Sequence, residues 1–151
     1  MNVITGYRLE ELMAASPSRL VVMLYDEAIA ALRVAIESCK AGDVERRCNA
    51  VTAATEIVGY LYMHLDLERG GEVARNLGAI YGHVIGRLPM VNLYNDPEVA
   101  EEAIELLEPL RRSWDQLDLQ LQAEAAEAAP LDPAVAPGAV AHDPVATGAG
   151  D

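Results

Sequence analysis

Phenylalanine is absent from this chain, and one tryptophan and six tyrosines are its only aromatic side chains. A core built without large aromatic bulk must come from leucine, valine, isoleucine, alanine and methionine, an aliphatic set that favours helices over sheets. Positive charge is also scarce. Eleven Lys and Arg stand against 24 Asp and Glu, for a net charge of −13. Such a chain repels phosphate backbones and anionic lipid headgroups, which argues against nucleic-acid and membrane-surface roles. No apolar run approaches the roughly 20 residues needed to span a bilayer. The first eleven residues lack the basic start and apolar middle of a secretion signal, so no membrane insertion and a cytosolic location are expected.

Cysteine is limited to Cys39 and Cys48, without the C-x-x-C spacing of metal or redox work, and reduced structural thiols are expected. A helical di-iron site needs Glu three residues before His. Leu61 precedes His64 at that spacing, Ile80 precedes His83 and Ala139 precedes His142, so no metal site is expected. The acidic groups Asp66 with Glu68 and Glu101 with Glu102 and Glu105 have no nearby nucleophile or apolar pocket to tune them and read as solvated helix faces. Gly70-Gly71-Glu72 lacks the lysine and the Gly-x-Gly spacing of a phosphate loop. Neither a cofactor nor an enzymatic activity is expected. What remains is a module that works by presenting surface.

What is present is helical periodicity. Ser16 and Pro17 open a helix, serine as the cap and proline at the first position, where its missing N–H and fixed φ cost nothing. Leu20, Leu24, Ala28, Ala31 and Ala35 then form one apolar line, and Val21, Tyr25, Ile29, Leu32 and Ile36 a second beside it. A helix apolar over so wide an arc must be covered on two sides, which predicts a central member of a bundle. It is expected to stop at Gly42. Asp43 caps a second helix with the line Cys48, Val51, Thr55, Val58, Tyr62, Leu65, and the short turn makes the two antiparallel neighbours. Gly70-Gly71 breaks that pattern. Val73, Leu77, Ile80, Val84, Leu88 and Val91 mark a third helix, kinked or ended near Pro89. Asp96-Pro97-Glu98 restarts the chain into a fourth, along Ala103, Leu107, Leu110, Trp114, Leu117 and Leu121, with a bend expected near Glu105 ahead of Pro109.

The expected fold is therefore all-α: an antiparallel four-helix bundle over 16–129, preceded by a short apolar arm over 1–15. The arm is too short to be stable alone. A disordered tail follows over 130–151, where Ala, Pro and Gly dominate and little apolar surface is available to offset ordering entropy.

Ala15-Ser16-Pro17 followed by Met23-Leu24-Tyr25-Asp26, with Tyr7 ten residues before the proline, resembles the FliS family, the flagellar export chaperones for flagellin. The stretch Leu65-Asp66-Leu67-Glu68-Arg69-Gly70-Gly71-Glu72-Val73-Ala74-Arg75-Asn76-Leu77 is similar to the family's second signature. Arg87-Leu88, Asn92, Asn95-Asp96 and Trp114 fall where its pattern places them, so the match runs from Tyr7 to Trp114. The sequence departs from the pattern at Ala14, where many members carry threonine, and at His83, where an aromatic is usual. The resemblance implies a chaperone of the bacterial cytosol that holds the C-terminal segment of new flagellin, blocks its premature polymerisation and supports its delivery to the flagellar type III export apparatus. Export-gate components and flagellar regulators are its further candidate partners. It also implies partner-binding residues: Ile4, Tyr7, Leu12, Tyr25, Leu61, Leu65, Leu77, Tyr81 and Val84. A rival reading from the residues alone is a self-associating bundle whose arm swaps between copies.

Overall fold

A computed structural model describes residues 9–128, and these form six helices: α1 (Leu9–Ala14), α2 (Pro17–Ala41), α3 (Val44–Met63), α4 (Leu67–Arg87), α5 (Pro89–Tyr94) and α6 (Pro97–Ala128). Among the described residues there is no strand, and the architecture is an all-α bundle. The expected tail and the first eight residues of the expected arm lie outside the described residues.

The caps anticipated from the sequence are in place. Ser16 Oγ accepts from the Arg19 amide at 3.1 Å, and Asp43 Oδ1 accepts from the Arg46 amide at 3.1 Å. Between them α2 ends at Gly42, whose φ of 68° is a conformation that side chains with a Cβ adopt at a cost of roughly 1–2 kcal/mol. With only Gly42 and Asp43 between them, α2 and α3 fold back on one another.

α2 is the central helix, packed against α3 on one side and α6 on the other. Tyr25, Ala28, Ile29 and Leu32 from α2 meet Ala54, Ile57 and Val58 from α3 and Ala103 and Leu107 from α6 in one continuous core. Pairings along α2 and α6 run in opposite senses: Arg19 with Asp118, Asp26 with Arg111, Arg33 with Glu108. The two helices are therefore antiparallel. At the far end, the buried Arg47 guanidinium donates to Asn92 Oδ1 at 3.2 Å and to Asn95 Oδ1, while Asn95 Nδ2 donates to the Cys39 carbonyl at 3.3 Å. These bonds tie α2, α3 and α5 together, and Asn95 makes the turn into α6 with a φ of 49°, which asparagine tolerates.

Two boundaries differ from the sequence expectation. The second helix stops at Met63, not at Gly70: the His64 amide and Nδ1 both donate to the Tyr60 carbonyl, and Asp66 Oδ1 accepts from the Arg69 amide to start α4 early. The glycine break survives as a kink inside α4, where Gly71 has φ 52° and ψ −127°. Because of that kink Val73, expected in the core, is 67% exposed, and Ala74 is buried instead. Pro89 does end α4 and opens α5, whereas Pro109 lies within α6, which continues to Ala128.

Candidate functional site

Helix lengths decide where apolar surface is left uncovered. At 1.5 Å per residue α6 is about 48 Å long, α2 about 37 Å and α3 about 30 Å. All three are aligned at the Gly42 end, so the α2 start and the α6 finish outrun α3. Here the apolar line of α6 continues past its partners. Leu117 and Leu121, expected in the core, are 41% and 45% exposed. With Pro17, Val21, Trp114 and Ala125 they line an almost wholly apolar cleft of about 570 Å³ between α2 and α6.

A second cleft, about 470 Å³, opens beside the α3–α4 turn and is lined by Tyr62, Met63, Leu65, Leu67, Arg75, Gly78 and Ala79. Met63, at the tip of α3, is 81% exposed. Tyr60 stacks on His64 at 3.9 Å nearby. A third cleft of about 430 Å³ lies between α1 and α2, lined by Glu11, Ala14, Ala15, Arg19, Met23 and Asp26. All three clefts sit at the end where α2 begins, α3 ends, α4 begins and α6 finishes.

One carboxylate lies between the start of α2 and α6 at this end. Asp118 is fully buried. Its Oδ1 accepts from Ser16 Oγ and Ser18 Oγ, each at 2.7 Å. Its Oδ2 accepts from Arg19 Nε and Gln122 Nε2, each at 2.8 Å. The bonds from Ser18 and Ser16, followed by the Arg19 guanidinium, hold this carboxyl below the ordinary value against the opposing pull of desolvation.

The residues that the resemblance singled out divide into three groups. Ile4 and Tyr7 lie outside the described residues. Leu12, Leu65 and Leu77 are half-buried, Leu12 on α1, Leu65 in the wall of the second cleft and Leu77 on α4. Tyr25, Leu61, Tyr81 and Val84 are core side chains. The two tyrosines meet hydroxyl to hydroxyl in the interior, with ring centroids 6.3 Å apart. Desolvation, chiefly, and the neighbouring phenol raise the pKa of Tyr25. Desolvation raises that of Tyr81. Among the described residues of that set, the half-buried ones reach the surface, and Leu65 lines a cleft. Sequence reasoning assigned Val21, Trp114, Leu117 and Leu121 to the core; Val21 and Trp114 do pack against it half-buried, whereas Leu117 and Leu121 emerge, for which a fourth helix longer than its neighbours was the available signal.

Cys39 is buried and Cys48 half-buried, and both are free. Burial pushes the Cys39 thiol up in pKa. Among the described residues no cluster of three or more His, Cys, Asp or Glu could hold a metal ion, and no helix is long and apolar enough to cross a membrane.

The family model described as "Flagellar protein FliS" matches residues 1–121. The flagellar secretion chaperone FliS of Salmonella typhimurium is 40% identical over 106 residues, 70% of this chain and 78% of that relative. The Vibrio cholerae flagellar secretion chaperone FliS is 30% identical over 71% of this chain and 79% of its own length. That of Bacillus subtilis is 28% identical over 76% and 85%. With a match over most of its length and relatives at this identity and coverage, the chain belongs to the FliS family.

Proposed function

We propose that the protein is an export chaperone of the bacterial cytosol that binds the C-terminal segment of flagellin, keeps it from polymerising and supports its delivery to the flagellar type III export apparatus. The family match over residues 1–121 carries this reading. The physical arrangement supports it. A flagellin end that packs as an amphipathic helix in the filament exposes an apolar face before export. The clefts at the α2–α6 and α3–α4 end offer apolar surface against which such a helix can lie. Ile4, Tyr7 and Leu12 in the N-terminal segment are further candidate apolar contacts for the same client. The bundle over 16–129 supplies the groove. Export-gate components and flagellar regulators are further candidate partners for the same surface.

Co-expression with flagellin of the same organism, followed by size-exclusion chromatography with light scattering, tests the reading. A soluble complex with the mass of one chaperone and one flagellin is expected. Flagellin that elutes alone overturns the reading, and a chaperone that then elutes as its own oligomer favours the self-associating bundle.

A further inference from the structure

We propose that the α3–α4 cleft receives an apolar side chain of the client segment while Arg75, in the cleft wall, takes a carboxylate one helix turn away on the same segment. Together the two contacts fix the register in which the client lies. Both presuppose the flagellin-binding reading above. Exposed apolar side chains are gathered here and not scattered: Tyr62, Met63 and Leu67 are 49%, 81% and 57% exposed, and all three line the cleft. On the α4 side Gly78 keeps the cleft open. A Cβ at that position would stand 3.4 Å from Leu65 Cδ1 and 3.8 Å from Tyr62 Cε2, so any side chain longer than a methyl would take the space that a client side chain needs.

Charge decides what the client must carry beside that apolar group. With 24 acidic and 11 basic residues, the chain repels a client carboxylate over most of its surface. Arg75 is the exception. Every other described arginine is paired with a carboxylate or, in Arg47, bonded to asparagine side chains, whereas Arg75 makes no ion pair or hydrogen bond among the described residues. Glu72, one turn before it on α4, does not bond it, so the guanidinium donors are left to a partner. The other clefts differ. Arg19 in the α1–α2 cleft is already held by Asp115 and Asp118, and no cation lines the α2–α6 cleft among its described residues. Arg75 precedes Gly78 by three positions, about 4.5 Å along the helix axis. A client helix has the matching spacing, since side chains three or four positions apart lie about 5–6 Å from one another. An apolar residue in the cleft and an acidic residue three or four positions from it therefore make both contacts at once. Sliding the client by one residue turns the acidic group roughly 100° away from Arg75, into a field that repels it. Once the client covers the pair, exclusion of water strengthens it.

Calorimetric titration of the full-length chain with the synthetic C-terminal flagellin segment of the same organism tests the proposal. Wild type is compared with Arg75→Gln, Arg75→Glu and Gly78→Leu, and the segment with variants in which each Asp or Glu in turn becomes Asn or Gln. Arg75→Gln is expected to weaken binding about threefold to tenfold. Gly78→Leu, which fills the cleft, is expected to weaken it about tenfold or more. Arg75 is exposed and leucine is a better helix former than glycine, so both variants are expected to keep the helical signal of the wild type. The Arg75 series decides alone if Gly78→Leu does not fold. Changing one acidic position of the segment should cost as much as Arg75→Gln does, and no more when both are changed. Lysine at that position should restore binding to Arg75→Glu, a rescue that a merely structural arginine does not give. Binding unchanged by Arg75→Gln, or losses that add at every acidic position, overturns the carboxylate contact. Binding unchanged by Gly78→Leu overturns the cleft as the apolar socket. A wild type that does not bind the segment overturns the flagellin reading and the register contacts together, whereas a wild type that binds no better than the variants overturns the register contacts alone.

Discussion

Replacing Tyr81 by phenylalanine removes one hydroxyl from the middle of the core and deprives Tyr25 of its phenol partner, leaving the Tyr25 oxygen only the bond it accepts from the Trp114 indole. Both phenols are buried, and each is the other's hydrogen-bond partner across α2 and α4. A buried donor left unmatched costs about 1–3 kcal/mol, whereas removing both partners at constant shape is close to neutral. Tyr81→Phe and Tyr25→Phe should therefore each destabilise by about 1–3 kcal/mol, and the double variant should recover most of that loss instead of doubling it. Urea unfolding followed by helical circular dichroism and by the fluorescence of Trp114 is the assay. With a slope of about 1–3 kcal/mol per molar for a domain of this size, each single change moves the midpoint by roughly 1 M. The double variant should return towards the wild-type midpoint. Strictly additive losses would refute the reasoning, because residues that act through a shared bond must couple. The same cycle bears on the tyrosines as partner-binding residues, since side chains inside the core change stability before they change affinity.

Three further outcomes follow from the same coordinates. Gly71→Ala should lower stability by about 1–3 kcal/mol in a thermal melt, because φ 52° with ψ −127° lies where only glycine sits without strain. The folded state raises the pKa of Tyr25 and Tyr81 above the unfolded value of about 10, so their contribution is complete below that pH and is lost as pH rises further. A spectrophotometric titration should show two tyrosines ionising together with the loss of helical signal. Asp118 has the opposite sign. Its folded pKa is depressed, so its contribution is complete above the unfolded value of about 3.9 and is lost as pH falls through the folded one. Asp118→Asn should flatten the acid limb of the stability curve.

The bundle was legible because its signals are local and strong. Ser16-Pro17, Gly42-Asp43 and Asp96-Pro97 mark helix starts and stops through capping chemistry, and the two apolar lines of α2 identify it as the helix covered on both sides. The early end at Met63 was not legible. Asp66 is as good a cap as Asp43, but it competes with a glycine pair that begins four residues on, and hydropathy does not rank a cap against a break. The surface was harder still. Periodicity marks Trp114, Leu117 and Leu121 as apolar, but whether they are covered depends on how far α3 reaches along them, which is a tertiary quantity. Tyr25 and Tyr81 show the reverse case. Their residue type suits a partner surface, and their place on the inner arcs of α2 and α4 puts them in the core. The Asp118 cluster joins residues about a hundred positions apart, and nothing in the spacing of Ser16, Ser18 and Arg19 announces the carboxylate they share.

Titration calorimetry of the full-length chain with the C-terminal segment of flagellin tests the central claim most directly. A saturable heat with a stoichiometry of one segment per chain is the predicted result. No heat with the segment, together with no mobility shift on adding full-length monomeric flagellin, would contradict the account.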